Sequence, residues 1–168
     1  MATKKSKGKK PACRAKNFNR HTEALRNLFL GGARAGEEFR AEMMLPTYIY
    51  LDLVVSGKMT NGPMECFARN VCILYRIAES AKHEKLAELG SKALMYLYDA
   101  SMRCYKKDMN RLVLFASELK ALRDFVNQCN RFIPNAELRH VHAGIQFVDY
   151  YERKKGPICG EPDKKEDK

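Results

Sequence analysis

This chain of 168 residues has no tryptophan and no apolar run approaching the ~20 residues that a helix needs to cross a bilayer. Apolar stretches such as residues 48–55 and 71–75 fall far short, which excludes a membrane-spanning reading. No apolar run follows the N-terminal lysines, so a secretory signal is absent, and lysine outweighs arginine and serine there, unlike a mitochondrial leader. There is no Cys-x2-Cys pair, no helical His-x3-His, no glycine-rich phosphate loop and no serine nucleophile elbow. His140 and His142 diverge on a helix, and Cys66 and Cys72 lie on different faces. No metal and no cofactor is therefore expected. No repeat signature recurs along the chain.

Acid is also missing from the first sixteen residues, which hold Lys4, Lys5, Lys7, Lys9, Lys10, Arg14 and Lys16. These seven bases account for most of the formal net charge of +11. Residues 152–168 carry six bases against five acids, and the intervening 17–151 a net charge of about +3. The charge thus belongs to an arm more than to a fold. A lysine-rich segment with interspersed Gly, Ser and Pro cannot bury enough apolar surface to order itself, and it neutralises phosphates without reading bases. Contact with nucleic acid is the preferred role for the arm. A solubilising tail and nuclear targeting through residues 4–7 are the alternatives.

Six cysteines without an export signal read as reduced thiols in the cytoplasm. At 168 residues and 45% apolar content, one domain with tails can bury a core without disulfides or metal.

What is plentiful is helical periodicity. Met64, Phe67, Val71, Leu74 and Ala78 repeat at intervals of three and four, as do Leu86, Leu89, Ala93, Tyr96 and Ala100. So do Leu112, Phe115, Leu119, Leu122, Val126, Cys129 and Ile133, and then Leu138, Val141, Ile145 and Val148. That spacing holds one face of each helix against neighbours. Asn61-Gly62-Pro63 places Pro63 at a first helical position, and Pro134-Asn135 closes one helix and opens the next. A short amphipathic helix is expected over residues 22–30, and another starts near Glu37. Residues 47–55 are ambiguous: Ile49, Leu51, Leu53 and Val55 alternate as in a strand that would pair with 145–151, but a helix kinked at Pro46 is preferred. The expected fold is all-α, a compact bundle of five or six antiparallel helices over residues 18–153. Residues 1–17 form a disordered basic arm, residues 154–168 a disordered charged tail, and residues 112–133 and 86–104 the centre.

Residues 86–104 are apolar on almost every side. Glu88, Lys92, Asp99 and Arg103 occupy one narrow stripe, as two i,i+4 pairs with the acid first. Away from the repeating face lie Leu94, Met95, Tyr98 and Met102. Such a helix is either covered on all sides as the central element, or its second face is an interface for a dimer or another protein.

Arg103, Lys106, Lys107 and Arg111 cluster around the following turn, a second cationic patch that extends the footprint of the arm or a solvated loop beside a helix end. Arg69, Arg76 and His83, seven apart, read as a solvated outer face. Arg76 and His83 also resemble, in spacing alone, the Arg-x4–6-His pair of small all-helical ribonucleases of the HEPN class. That resemblance implies a metal-independent ribonuclease in which the pair contacts the scissile phosphate. With 13 arginines and four histidines, a chance match to that spacing is expected. The sequence therefore favours a non-enzymatic binding or regulatory protein that touches nucleic acid or a nucleoprotein complex through its arm. An adaptor or inhibitor with an inert tail stands second, and the ribonuclease third.

Overall fold

Five helices and no strand occupy residues 32–159, the part of the chain described by the computed structural model. They are α1 (Gly36–Val55), α2 (Asn61–Ser80), α3 (Glu84–Lys106), α4 (Ala116–Phe132) and α5 (Leu138–Lys155), with a 3-10 turn at Ile133–Asn135 between the last two. The expected helix over 22–30 and the arm over 1–17 lie outside the described residues, as do residues 160–168.

Residues 47–55 are helical, and Pro46 sits inside α1. Proline removes one donor from the ladder. At the next residue, the Thr47 hydroxyl donates to Met43 O at 2.8 Å and accepts from Asn70 Nδ2 at 3.4 Å, so this buried hydroxyl is satisfied. The apparent alternation dissolves on the helix. Thr47, Leu51 and Val54 face the core at intervals of four and three, while Ile49 and Val55 are exposed. The strand partner suggested at 145–151 is helical too.

The element with most neighbours is α2, which packs against α5, α3 and α1. Its expected face, Met64, Phe67, Val71, Leu74 and Ala78, is buried, with Ala68, Ile73 and Ile77 beside it. The centre is thus α2, not residues 112–133 and 86–104. The reason is that α2 has no wide polar stripe, whereas α3 keeps a large part of its circumference in solvent. Helix α2 starts at Asn61, so Pro63 is its third residue, still inside the first turn where no N–H is required.

Two glycines set how closely the helices approach. A Cβ on Gly90 of α3 would lie 2.8 Å from the Phe125 ring of α4. On Gly144 of α5 it would meet Ile77 Cγ1 at 2.9 Å and Ile73 O at 3.1 Å.

The run Leu112–Ile133 is not one helix. Leu112 is buried in the preceding loop, where its N–H donates to Met59 O at 2.9 Å and ties the α1–α2 and α3–α4 connections together. Phe115 is the N-cap of α4 and is 60% exposed. Helix α5 runs on to Lys155, and Cys159 beyond it is buried, so the ordered chain passes the expected boundary at 153. Basic side chains in its last turn favour that extension by facing the negative end of the helix dipole.

Where residue 31 gives way to the described chain, a single antiparallel bridge joins Arg34 to Glu137. Ala35 N donates to Ala136 O and Leu138 N to Ala33 O, each at 2.8 Å.

Candidate functional site

Of the cationic set expected to bind nucleic acid, Lys4, Lys5, Lys7, Lys9, Lys10, Arg14 and Lys16 lie outside the described residues. The other four surround the end of α3. That helix begins at His83, whose Nδ1 accepts from Leu86 N at 3.4 Å, and buries Leu86, Gly90, Ala93, Leu97, Ala100 and Cys104 along one stripe. It stops at Lys107, and Asp108 turns the chain at φ 50°. Cys104 Sγ donates to Arg111 O at 3.2 Å and holds the loop back against the helix end.

Arg103 does not face solvent as a free cation. Its guanidinium makes two bonds to the Glu118 carboxylate, at 2.9 and 2.6 Å, reaches Val113 O at 3.3 Å and lies 4.4 Å from the Phe115 ring centroid. Glu118 is buried, and its second oxygen also accepts Phe115 N at 2.8 Å, capping α4. A two-pronged guanidinium–carboxylate pair is strong and geometrically specific. It joins the end of α3 to the start of α4, and it takes Arg103 out of the cationic set. The pairing of Asp99 with Arg103 expected from their spacing gives way to this partner.

Lys106, Lys107 and Arg111 are exposed and form no ion pair among the described residues. Tertiary structure adds bases that spacing could not place. Lys58 adjoins Met59, which bonds Leu112, the neighbour of Arg111. Cys159 lines a small cleft of about 160 Å³ with Met64, Tyr105 and Met109, which brings the last turn of α5 and its exposed Arg153, Lys154 and Lys155 to the same end of the molecule. The cleft is well below the ~300 Å³ at which drug-sized ligand sites begin.

The second expected surface is the outer face of α3. Met95 and Tyr98 are 53% and 52% exposed. Leu94 and Met102 are partly buried: Leu94 packs against the core, and Met102 lines the cleft. Tyr105, 47% exposed, continues the stripe seven residues beyond Tyr98, and extending the same count would have found it. Within the described chain this helix is therefore not covered on every side. Covering such surface is worth about 25 cal/mol per Å² of apolar area.

Arg69, Arg76 and His83 are not an open solvated face. Arg69 bridges to Asp149 at 2.6 Å and Glu152 at 3.1 Å, fastening α2 to α5. Arg76 bonds Glu79 and lies 3.5 Å beneath the Phe147 ring centroid. That hydrogen bond, opposed by burial and aided by the Tyr75 hydroxyl, holds the Glu79 carboxyl below its ordinary range. His83 caps α3 and meets Phe132 edge-on, with centroids 5.2 Å apart. Each member of the supposed ribonuclease pair has a structural task of its own.

Ser80 Oγ lies 2.8 Å from His140 Nδ1, a hydroxyl–imidazole hydrogen bond. Burial pulls the His140 imidazole below its ordinary value, with Arg139 adding to the fall and Glu137 opposing it. A nucleophile–base pair is completed by a third group that orients the base, and among the described residues no carboxylate hydrogen-bonds this ring. Nor do the described residues contain a His, Cys, Asp or Glu cluster able to hold a metal. None of their helices is long and apolar enough to cross a membrane.

Comparison with protein-family models, with curated proteins and with solved structures finds no match for this chain.

Proposed function

We propose that this is a non-enzymatic nucleic-acid-contacting protein, acting in the cytoplasm on free nucleic acid or a nucleoprotein complex. Its lysine-rich residues 1–16 and the cationic end of its helical body bind phosphates, and the outer face of α3 supplies a partner surface. In this reading the helices form a compact bundle with antiparallel neighbours. The order of contacts along α2 and α5 supports it: Arg69 meets Asp149 and Glu152, Ile77 meets Gly144, and Ser80 meets His140.

The observation that carries the proposal is the gathering of Lys58, Lys106, Lys107, Arg111, Lys154 and Lys155 from three chain segments at one end, all exposed and none in an ion pair among the described residues. Exposed bases from separate segments at one end offer a phosphate backbone several contacts at once. Recognition of this kind reads the backbone, not the bases, and weakens steeply with salt.

Titrating a fluorescent 20-base-pair duplex at several salt concentrations tests the reading. Removal of residues 1–16, and separately Lys107→Gln with Arg111→Gln, should each weaken binding. Each lost phosphate contact should flatten the log–log salt dependence by about 0.9. Unchanged affinity in both proteins, with helicity intact, would refute the assignment. An adaptor that works through the α3 face alone is the second reading, favoured by Met95 and Tyr98; it would show no salt-dependent duplex binding in the parent protein.

A further inference from the structure

The outer face of α3 has a pattern that is complementary to itself. Starting from exposed Glu88, the positions Ser91, Met95, Tyr98, Met102 and Tyr105 follow at intervals of three and four, the spacing of a two-helix seam. Beside that seam run Glu88, Lys92, Asp99 and Lys106, alternately negative and positive. All four are exposed, and none has an ion pair among the described residues; Lys92 merely lies 5.8 Å from the Tyr96 ring centroid.

Laid against a parallel copy in register, the two charged flanks fall on opposite sides of the seam, and no charge finds an opposite partner. Laid against an antiparallel copy, Met95 meets the partner's Tyr98, Ser91 the partner's Met102, and Glu88 the partner's Tyr105. The same register sets Lys92 beside the partner's Asp99 and Glu88 beside the partner's Lys106. One two-fold axis, crossing α3 between Met95 and Tyr98, satisfies the apolar seam and the charges together. A two-fold contact requires such self-complementarity of one surface.

We infer that the partner surface of the proposed function takes a second copy of this chain, docked antiparallel along α3. This rests on the reading of that face as an interface, and not on nucleic-acid binding. Met95 and Tyr98 lie equally close to the axis, so each packs against the other's copy at the middle of the seam.

Sedimentation equilibrium of the full chain, freed of nucleic acid, tests the inference. A concentration-dependent dimer is expected below about 100 µM, the range in which a modest interface still assembles. Tyr98→Glu, and independently Tyr105→Glu, should raise the dissociation constant at least tenfold while helicity is kept. Either Lys92→Glu or Asp99→Lys creates two like-charge contacts across the axis and should weaken the dimer about tenfold. The double exchange should restore it to within about twofold. Within one chain the two residues stand about 10 Å apart along the helix, too far to rescue each other.

A monomer at every concentration overturns the proposal. So does a dimer indifferent to both tyrosine changes, or one that the double exchange fails to restore. None of these results bears on duplex binding, so the two readings fail separately.

Discussion

Gly144 lies against Ile77 so closely that a methyl group in place of its hydrogen would sit 2.9 Å from Ile77 Cγ1 and 3.2 Å from Ile77 N. Backbone cannot yield as a side-chain tip can, so α5 must move away from α2 to admit any larger residue. Alanine is the better helix former by about 1 kcal/mol. Overpacking outweighs that gain here, and Gly144→Ala should lower stability by about 1–3 kcal/mol in urea unfolding. Gly62, in the first turn of α2 with nothing near it, provides the contrast. Gly62→Ala should be neutral or stabilising by up to about 1 kcal/mol.

Removing the guanidinium of Arg103 strands the Glu118 carboxylate in a buried position. Loss of one partner from a buried pair costs about 3–5 kcal/mol. Arg103 itself keeps some exposure, so Arg103→Met should lose about 2–3 kcal/mol, and Arg103→Lys less. Duplex affinity per folded molecule should stay unchanged, because Arg103 is turned inward. Denaturant titration together with the binding assay separates the two effects.

Because burial depresses the His140 imidazole below its ordinary 6.5, the unfolded chain takes up that proton first as pH falls. The stability this residue contributes is full above about pH 6.5 and is lost as pH drops from there through the lower native value. Melting temperature should fall between about pH 7.5 and pH 5. In His140→Asn that fall should shrink, and an equal fall in both proteins would remove His140 as its source.

Thiol reactivity should rank by burial. Burial pushes the Cys129 thiol far up and the Cys159 thiol up to about 12, so neither offers thiolate near neutrality. Cys72 is raised too, Cys104 is buried, and Cys66 is exposed. Alkylation of the native protein followed by peptide mass spectrometry should find Cys66 modified first among the described residues. The buried three should react only on unfolding.

Helix content was legible because burial on one face leaves a period of three and four, and α2 shows it without interruption from Met64 to Ala78. The centre of the fold was harder to read. The apolar richness of α3 fits either full enclosure or a second face, and only tertiary packing, which leaves Met95, Tyr98 and Tyr105 facing outward, separates the two. The start of α4 was misplaced for a local reason. Leu112 and Phe115 keep the helical count by coincidence, while the bond from Phe115 N to Glu118 sets the true beginning. Arg103 was counted as a surface cation because its partner lies fifteen residues away on another helix. For the same reason Lys58 and Lys154 could not be joined to Lys106 until the loops were in place.

The bridge between Arg34 and Glu137 has a geometric consequence for the arm. It fixes the chain beside the start of α5, near Phe132 and thus near His83 at the beginning of α3. The cationic turn lies at the other end of that helix, 23 residues away, or about 34 Å. Lys16 stands seventeen residues before Ala33, a length of chain that spans at most about 60 Å. That reach exceeds the ~34 Å to the cationic turn, so the arm of one chain is long enough to meet its own turn on a single stretch of duplex.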